Sequence, residues 1–321
     1  MTDYDHGSSA ILGARTDLGK IADRYIEEYG LGPKSSRVAL RACSKKLVQS
    51  SGSLRFLAKT FWNTDDMSND AGRRGPGGTI PESQAGDTTA LNVTLVDLGK
   101  EVFWDLLSPD THALEMEGGS ARVESVYTMK AVIKTLEAMD YLLAERIIGA
   151  SAANPWTASE VDCSGTKWSA ATNTAVSQLN TGIINYDGDL DSVLLSRKAA
   201  NYLRNCSDVV SGYGGNTGAG LALDNVQFAN FWNSMGISNI FIGDTAMFSH
   251  YVTLFRGGGK DAEVEPSALV RCHKAQPGEN ANGMLVSLEE YNHKKTIGVY
   301  APSTDDIVLI PSLGVRLLNV Y

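Results

Sequence analysis

The most regular hydrophobic pattern in the chain follows the polar triplet Gly118-Gly119-Ser120. Its apolar residues recur at spacings of three and four, at Val126, Met129, Ile133, Leu136, Met139, Leu143 and Ile147. This period predicts a long amphipathic α-helix that begins at Ser120 as N-cap and ends before Gly149. Because the apolar stripe is narrow, we expect the helix to lie across the surface of a sheet.

Two helices and one extended hairpin are predicted before the long helix. The helices cover 17–29, which ends at a Gly-rich turn, and 35–48. The segment 62–96 is polar, carries a Gly- and Pro-rich cluster at 75–78, and then alternates apolar and polar residues from Leu91. This pattern predicts a long hairpin. With so little apolar content, such a hairpin needs a partner surface.

The second half of the chain alternates between helical and extended patterns, which is typical of an α/β or α+β protein. The predicted elements there are a buried strand at 192–196, helices at 197–207 and 221–235, and a strand at 239–243. The tail is predicted to form an antiparallel hairpin and one more strand, from strands at 296–300, 307–311 and 315–320 with a turn at 302–306.

Composition and charge indicate a folded protein with an unusual N-terminal segment. The 321 residues are 43% apolar with a net charge of −9, so there is core enough for two domains or one large one. Residues 1–60 nevertheless carry ten basic and six acidic side chains. The basic arm is formed by Lys34, Arg37, Arg41, Lys45, Lys46, Arg55 and Lys59. We predict that it meets phosphate or an acidic partner, the alternative being a solvated face.

Several protein classes are not expected from this sequence. It has no uninterrupted apolar run of membrane-spanning length, and its first residues are polar and acidic rather than basic and apolar. The four cysteines lie far apart, which predicts reduced thiols in a cytoplasm. Because the chain is acidic, sequence-specific DNA binding is not expected.

Motifs for catalysis or cofactor binding are incomplete. The loop 212–218 has Thr217 where a dinucleotide-binding loop has its third glycine, and Lys260 is followed by Asp261 where a phosphate-binding loop has a hydroxyl. The carboxylates at 187, 189 and 191 lack the glycine and glutamate of a calcium loop and leave a weak cation site as a minor alternative. We therefore predict no enzyme, no cofactor and no resident metal.

The order of these elements resembles the major capsid protein of tailed double-stranded DNA bacteriophages. That α+β fold is shared with herpesvirus capsid floors and encapsulins. The resemblance runs from about Trp62 to Tyr321 and depends on the order and spacing of loose patterns. These patterns lie at 74–78, 81–82, 98–107, 120–149, 168–184, 191–203, 222–243, 305–314 and 317–320.

The resemblance implies a shell subunit that assembles into hexamers and pentamers around a phage genome. It divides the chain into an N-terminal arm at 1–55, an extended E-loop hairpin at 56–98, a peripheral domain with a long spine helix at 99–152, an axial domain at 153–282 and C-terminal peripheral strands at 283–321. The E-loop residues implied at the subunit interface are Trp62, Arg73, Arg74, Pro76, Gly77 and Gly78. The basic arm is implied to face the interior of the shell or a neighbouring subunit.

The implied partners are other copies of the chain, a scaffolding protein, a portal, a decoration protein and packaged DNA contacted without sequence specificity. No membrane partner is expected. The implied location is the virion, after assembly in the bacterial host cytoplasm.

Two departures from well-known relatives refine this expectation. No lysine lies between Thr60 and Gly99, so covalent cross-links from the E-loop are not expected. The short arm predicts a separate scaffolding protein. The alternatives are an encapsulin-like compartment that loads protein cargo, a cytosolic α/β enzyme with its catalytic domain at 153–282, and a monomeric binding module.

Overall fold

The structure is a computed structural model that describes part of the chain. The described residues are 10–30, 37–57, 88–148, 160–170, 174–186, 190–213, 222–257, 267–291, 296–310 and 313–321. The helices are α1 (Thr16–Tyr25), which continues as a π-helical turn (Ile26–Gly30), α2 (Ala39–Ala42), α3 (Pro109–Ile148), α4 (Ala175–Ile184), α5 (Arg197–Asn205), α6 (Ser207–Tyr213), α7 (Asn225–Ser234) and α8 (Thr245–Phe248).

The strands form four sheets. They are β1 (Ala10–Ala14), β2 (Ser44–Leu47), β3 (Gly52–Leu57), β4 (Thr88–Val93), β5 (Val96–Leu98), β6 (Val102–Asp105), β7 (Glu160–Asp162), β8 (Ser192–Ser196), β9 (Asn239–Gly243), β10 (Val252–Phe255), β11 (Leu269–His273), β12 (Ser287–Tyr291), β13 (Thr296–Tyr300), β14 (Ser303–Leu309) and β15 (Gly314–Leu318). The sheet orders are β1-β12-β13-β6, β2-β11-β14-β5, β7-β15-β10-β8-β9 and the hairpin β3-β4.

The two four-stranded sheets make up a peripheral unit that supports α3. All neighbours in the first sheet are antiparallel, whereas in the second sheet β2 runs parallel to β11. The long helix packs against strands of both sheets. It is also pinned by a buried hydrogen bond of 2.7 Å, in which the Thr135 hydroxyl donates to the Ala301 carbonyl.

A break inside α3 lies just before the residue at which the pattern predicted the long helix to begin. Within α3 the backbone leaves helical geometry at Gly118 and Gly119, and Gly119 has φ +70° and ψ −172°, which glycine alone adopts readily. The spine segment of α3, residues 120–148, therefore starts afresh at Ser120. Gly149, the predicted C-terminal glycine, lies outside the described residues.

The buried face of the spine segment differs from the predicted stripe in its first half. The fully covered side chains there include Val123, Tyr127 and Ala131, while Val126 and Met129 are half-buried. The physical reason is that α1 and α2 pack on this helix in addition to the sheets. The buried arc is consequently wider than a stripe facing one sheet.

The five-stranded sheet separates two apolar cores. On one face Val193, Leu195 and Leu254 join the axial core with the helices α4 to α7. On the other face Leu194 and Phe255 join the peripheral core. Strand β8 is buried along its whole length, as its uninterrupted apolar pattern predicted.

The predicted helix at 35–48 is wrong beyond its first turn. Helix α2 spans four residues, and Ser44–Leu47 form strand β2, which pairs with β11 from Val270 to His273. Local sequence favours a helix here, but the open edge of β11 provides backbone partners that the local pattern cannot reveal.

The predicted hairpin in the tail is also wrong. Strand β14 already begins at Ser303 and pairs with β11 and β5, whereas β13 pairs with β12 and β6 in the other sheet. Asp305 and Asp306 are 0% and 1% exposed within β14, although Pro-Ser-Thr-Asp-Asp is typical of a turn. Partners distant in sequence neutralise both carboxylates.

We name the five-stranded sheet with helices α4 to α7 the axial unit. The peripheral and axial units exchange strands around residue 282, the boundary that the resemblance implies before the C-terminal peripheral strands. Strand β11 lies before that boundary but pairs with β14 in the peripheral unit. Strand β15 lies after it but pairs with β10 and β7 in the five-stranded sheet. The chain therefore returns to the peripheral unit by Leu269 and leaves it again near Leu313.

Candidate assembly surfaces

The base of the predicted E-loop is an antiparallel hairpin. Strands β3 and β4 pair in register from Gly52 with Val93 to Leu57 with Thr88. Apolar side chains near the base, Leu54, Leu91 and Val93, pack on or lie in the peripheral core. The hairpin therefore leaves the peripheral unit as a two-stranded ribbon toward residues 58–87.

Asp306 connects the hairpin to the spine segment. One carboxylate oxygen accepts a 2.7 Å hydrogen bond from the backbone N–H of Thr94, just after β4. The other accepts a 2.9 Å hydrogen bond from the Arg146 guanidinium, near the helix C-terminus. Because the side chain is buried, loss of either partner leaves a desolvated oxygen. The sequence pattern missed this residue by placing it in a turn.

Asp140 connects the arm to the spine segment. One of its oxygens accepts hydrogen bonds of 3.0 and 2.8 Å from the backbone N–H groups of Val38 and Ala39, at the start of α2. The guanidinium of Arg37 lies 3.9 Å from the other oxygen and 2.7 Å from Glu137. Burial raises the pKa of Asp140 to about 6, against the opposing effects of the two N–H donors and nearby arginines.

A buried ionic network connects β11 with β14. Arg271 donates to both oxygens of Asp305, at 2.8 and 3.0 Å, and to the Ser303 hydroxyl. His273 contacts Asp305 at 2.8 Å through Nδ1 and Glu279 at 3.1 Å through Nε2. These hydrogen bonds lower the pKa of Asp305 despite the opposing effect of its burial. Because both ring nitrogens contact carboxylates, His273 is part of this structural network.

Arg316 connects the spine segment to the five-stranded sheet. Its guanidinium donates 2.7 Å hydrogen bonds to the carbonyls of Ile147 and Ile148, in the last turn of α3, and a 2.6 Å bond to Glu160 in β7. A cation at a helix C-terminus also interacts favourably with the helix dipole. This contact joins the peripheral and axial units.

The predicted interface residues fall into two groups. The E-loop residues Trp62, Arg73, Arg74, Pro76, Gly77 and Gly78 and the arm residues Lys34 and Lys59 lie outside the described residues. Arg55 lies in β3. Arg37 pairs with Glu137, and Arg41 lies over the Phe241 ring at 5.8 Å. Two of the basic arm residues thus contact their own chain.

Lys45 and Lys46 both lie in strand β2. Lys45 is exposed and Lys46 is half-buried. The predicted role of the basic arm toward an interior volume or a neighbour remains a prediction for both lysines.

Asp191, the last carboxylate of the incomplete calcium loop, has an ordinary structural role. The Asp191 carboxylate caps a turn by accepting from the Gly257 N–H at 2.6 Å and the Ser192 hydroxyl at 2.7 Å. Burial raises the pKa of Cys163 and Cys272 to about 12, so both thiols are protonated at neutral pH. Among the described residues no group of His, Cys, Asp and Glu could hold a metal ion. No helix in the described ranges is long and apolar enough to cross a membrane.

Comparisons with solved structures define the class of fold. A phage-related protein from Bordetella bronchiseptica RB50 has a TM-score of 0.63 and 14% identity, over 96% of this chain and 97% of that one. The virus-like particle protein from Pyrococcus furiosus has a TM-score of 0.51 and 11% identity, over 94% and 97%. The SrpI encapsulin from Synechococcus elongatus PCC 7942 has a TM-score of 0.51 and 12% identity, over 90% and 88%.

These similarities extend over nearly the whole of each chain. The protein therefore shares its α+β fold with the phage-related protein, the virus-like particle protein and the encapsulin, which confirms the fold class predicted from the order of elements. No family model and no curated protein matches the sequence.

Proposed function

We propose that this chain is the major capsid subunit of a tailed double-stranded DNA bacteriophage. Hexamers and pentamers of the chain would build an icosahedral shell around the genome. The observation that carries the proposal is the end-to-end match to proteins of this fold, which covers 96% of the chain for the phage-related protein. The proposed role is structural, because the proteins of similar fold include a virus-like particle protein and an encapsulin.

The hairpin base supports the same proposal. Strands β3 and β4 leave the peripheral unit as a two-stranded ribbon, and an isolated ribbon is marginal in water. A neighbouring subunit would supply the surface that residues 58–87 need, which makes assembly the source of the ribbon's stability. A separate scaffolding protein, a portal, a decoration protein and non-specifically bound DNA are further proposed partners, with assembly in the host cytoplasm.

An encapsulin-like compartment is the second candidate. The encapsulin from Synechococcus elongatus and the virus-like particle protein from Pyrococcus furiosus each match this chain at a TM-score of 0.51. The two candidates differ in contents, since a phage head packages DNA and an encapsulin-like shell packages protein.

Negative-stain electron microscopy of the protein expressed with and without its genomic neighbours tests the shell. Closed icosahedral particles or capsomer rings are the expected result. A uniform field of small particles under both conditions would overturn it. Nuclease-protected DNA in shells purified from infected or induced cells supports the phage head, whereas a stoichiometric protein cargo without DNA supports the compartment.

The absence of lysine from residues 60–99 adds a second expected result. Subunits taken from boiled, reduced shells should migrate as a single band of 34.4 kDa. A ladder of covalent multimers would contradict the expectation that this E-loop forms no isopeptide cross-link.

A further inference from the structure

The strand orders place two chain segments at opposite ends of the peripheral unit. The strand orders of the two sheets are β1-β12-β13-β6 and β2-β11-β14-β5. When the two orders are compared position by position, each pair of strands is consecutive in the chain, as β5 and β6 are. The pair β5 and β6 therefore ends both sheets on one side, and β1 and β2 end them on the other. In the part of the chain described here, β2 and β6 are end strands, and end strands can pair with another chain.

The β6 end carries exposed apolar side chains. Phe103 is 52% exposed, and in the turn after β6 Leu106 is 43% and Leu107 is 72% exposed. Met116, in the first part of α3, is 83% exposed. A cluster of large exposed apolar residues within fourteen positions marks an interaction surface better than isolated ones do.

The charge on the β6 end is of one sign. Residues 101–117, which we name the acidic edge, contain Glu101, Asp105, Asp110, Glu115 and Glu117 and neither lysine nor arginine. One lysine, Lys100, precedes it. The apolar cluster thus lies among carboxylates, an arrangement that favours a basic partner surface.

The β2 end has the opposite charge and an exposed apolar residue of its own. Strand β2 contains Lys45 and Lys46 and no aspartate or glutamate. Within β2, Lys45 is exposed and Leu47 is 64% exposed. We name residues 44–47 the basic edge. It offers a strand backbone, an apolar side chain and positive charge together.

We propose that the acidic edge of one copy binds the basic edge of the next copy, head to tail. Two acidic edges facing each other would repel, so a two-fold contact through this surface is disfavoured. A contact between opposite ends of a unit is heterologous, and repeated heterologous contacts close into rings when the rotation allows it. The partner is a second copy of this chain, so the inference rests on the proposed function.

Cross-linking of mixed-isotope assemblies tests this contact directly. Shells or capsomers are assembled from equal amounts of ¹⁴N- and ¹⁵N-labelled protein and treated with a carbodiimide, which joins lysines to carboxylates at contact distance. Mixed-isotope peptides linking Lys45 or Lys46 to Asp105, Asp110, Glu115 or Glu117 are expected. Assemblies that yield other mixed-isotope links but none between these two edges would overturn the proposal.

Charge reversal provides an independent measurement. The variant Lys45→Glu with Lys46→Glu and the variant Glu115→Lys with Glu117→Lys should each lower the assembled fraction by at least about tenfold, because like charges then face each other. The variant with all four changes restores opposite charges and should recover assembly. Arg197→Glu is the matched control, since Arg197 is an exposed basic residue in the first turn of α5.

The outcomes separate this inference from the proposed function. Wild-type protein that forms no shell under any condition refutes the function itself. Wild-type shells together with normal assembly of both reversed variants refute the head-to-tail contact and leave the function standing. If a reversed variant loses its cooperative thermal transition, the cross-linking result decides.

Discussion

The peripheral and axial units of this protein are stabilised by different chemistry. Among the described residues, five of the six buried Asp, Arg and His side chains lie in the peripheral unit, namely Asp140, Arg271, His273, Asp305 and Asp306. The sixth, Arg316, lies in β15 of the five-stranded sheet. The axial core consists instead of apolar and aromatic side chains such as Phe228, Phe231 and Trp232, whose rings meet edge to face. We expect pH and charge substitutions to act on the peripheral unit and side-chain truncation to act on both.

The reason for the difference lies in what each unit connects. The peripheral carboxylates each join segments far apart in sequence, such as the hairpin base with the helix through Asp306. Directional hydrogen bonds fix the position of a segment more narrowly than apolar contact does. The axial unit packs its own helices on its own sheet, and its buried Arg316 makes hydrogen bonds at the junction with the last turn of the spine segment.

The largest expected effect comes from the buried pair in β11 and β14. Arg271→Met leaves the Asp305 carboxylate without its bidentate partner in a site that is 0% exposed. The expected loss is about 3–5 kcal/mol of unfolding free energy at pH 7 by chemical denaturation.

The pH dependence sharpens this prediction. The pKa of Asp305 is depressed in the folded protein, so its contribution is present above the unfolded pKa and is lost as pH falls through the folded pKa. The difference between wild type and variant should therefore shrink below about pH 4. A loss under about 1 kcal/mol at pH 7 would contradict the ionic account of this unit.

The corresponding change in the axial unit is Leu254→Ala. Leu254 is fully buried and lies between Val193 and Val315 of the neighbouring strands. The expected loss is about 3 kcal/mol, from lost burial and the cavity left behind. Denaturation at pH 4 and pH 7 should give the same loss, and a strong pH dependence would contradict the contrast between the units.

Substitutions of Asp140 test whether this carboxylate holds the start of α2 on the spine segment through its hydrogen bonds or through its charge. Its pKa of about 6 is above the ordinary value of 3.8, so the folded protein binds this proton more tightly than the unfolded chain does. Stability from this group is fully present below about pH 4 and is lost as pH rises to about 6, by about 3 kcal/mol in total.

Two variants separate the contributions. Asp140→Asn keeps an acceptor for the Val38 and Ala39 N–H groups and should abolish this pH dependence with little loss at pH 7. Asp140→Ala leaves two buried donors unsatisfied and should cost about 2 kcal/mol. Equal stability of the two variants by thermal unfolding at pH 7 would show that the hydrogen bonds do not hold the arm.

The smallest expected effect concerns the break before the spine segment. Gly119→Ala meets no neighbouring atom within 4 Å but must adopt φ +70°. The expected cost is about 1–2 kcal/mol. Gly212→Ala in α6 is the matched control, because it also meets open space but has no positive φ, and it should be neutral or stabilising. Equal effects in thermal unfolding would contradict the backbone strain at Gly119.

The sequence predicts elements well where local pattern and tertiary environment agree. Strands β9 and β13 have the predicted bounds, and the spine segment starts at the predicted Ser120. Local pattern fails where a partner distant in sequence decides the outcome. The strand β2 depends on the edge of β11, and the burial of Asp305 depends on Arg271. The sequence pattern does not predict the buried hydrogen bonds of Asp140 and Asp306 for the same reason.

The sequence predicts some of the chain segments that form the candidate assembly surfaces but not the side-chain contacts that these segments make. Strand β4 and the basic composition of the arm follow from local patterns, whereas β3 (Gly52–Leu57) lies before the hairpin predicted at 62–96. That Arg37 pairs with Glu137 of the same chain does not follow, because the pairing requires the arm to lie along α3. The residues at the hairpin tip lie outside the described part, so their interface role stays a prediction.

Sedimentation velocity of the purified protein, with and without its genomic neighbours, tests the central claim most directly. The account predicts multi-megadalton closed particles, or capsomer rings that convert to them, because the proposed function is that of a shell subunit. A single species at the 34.4 kDa of one chain under every condition would contradict it.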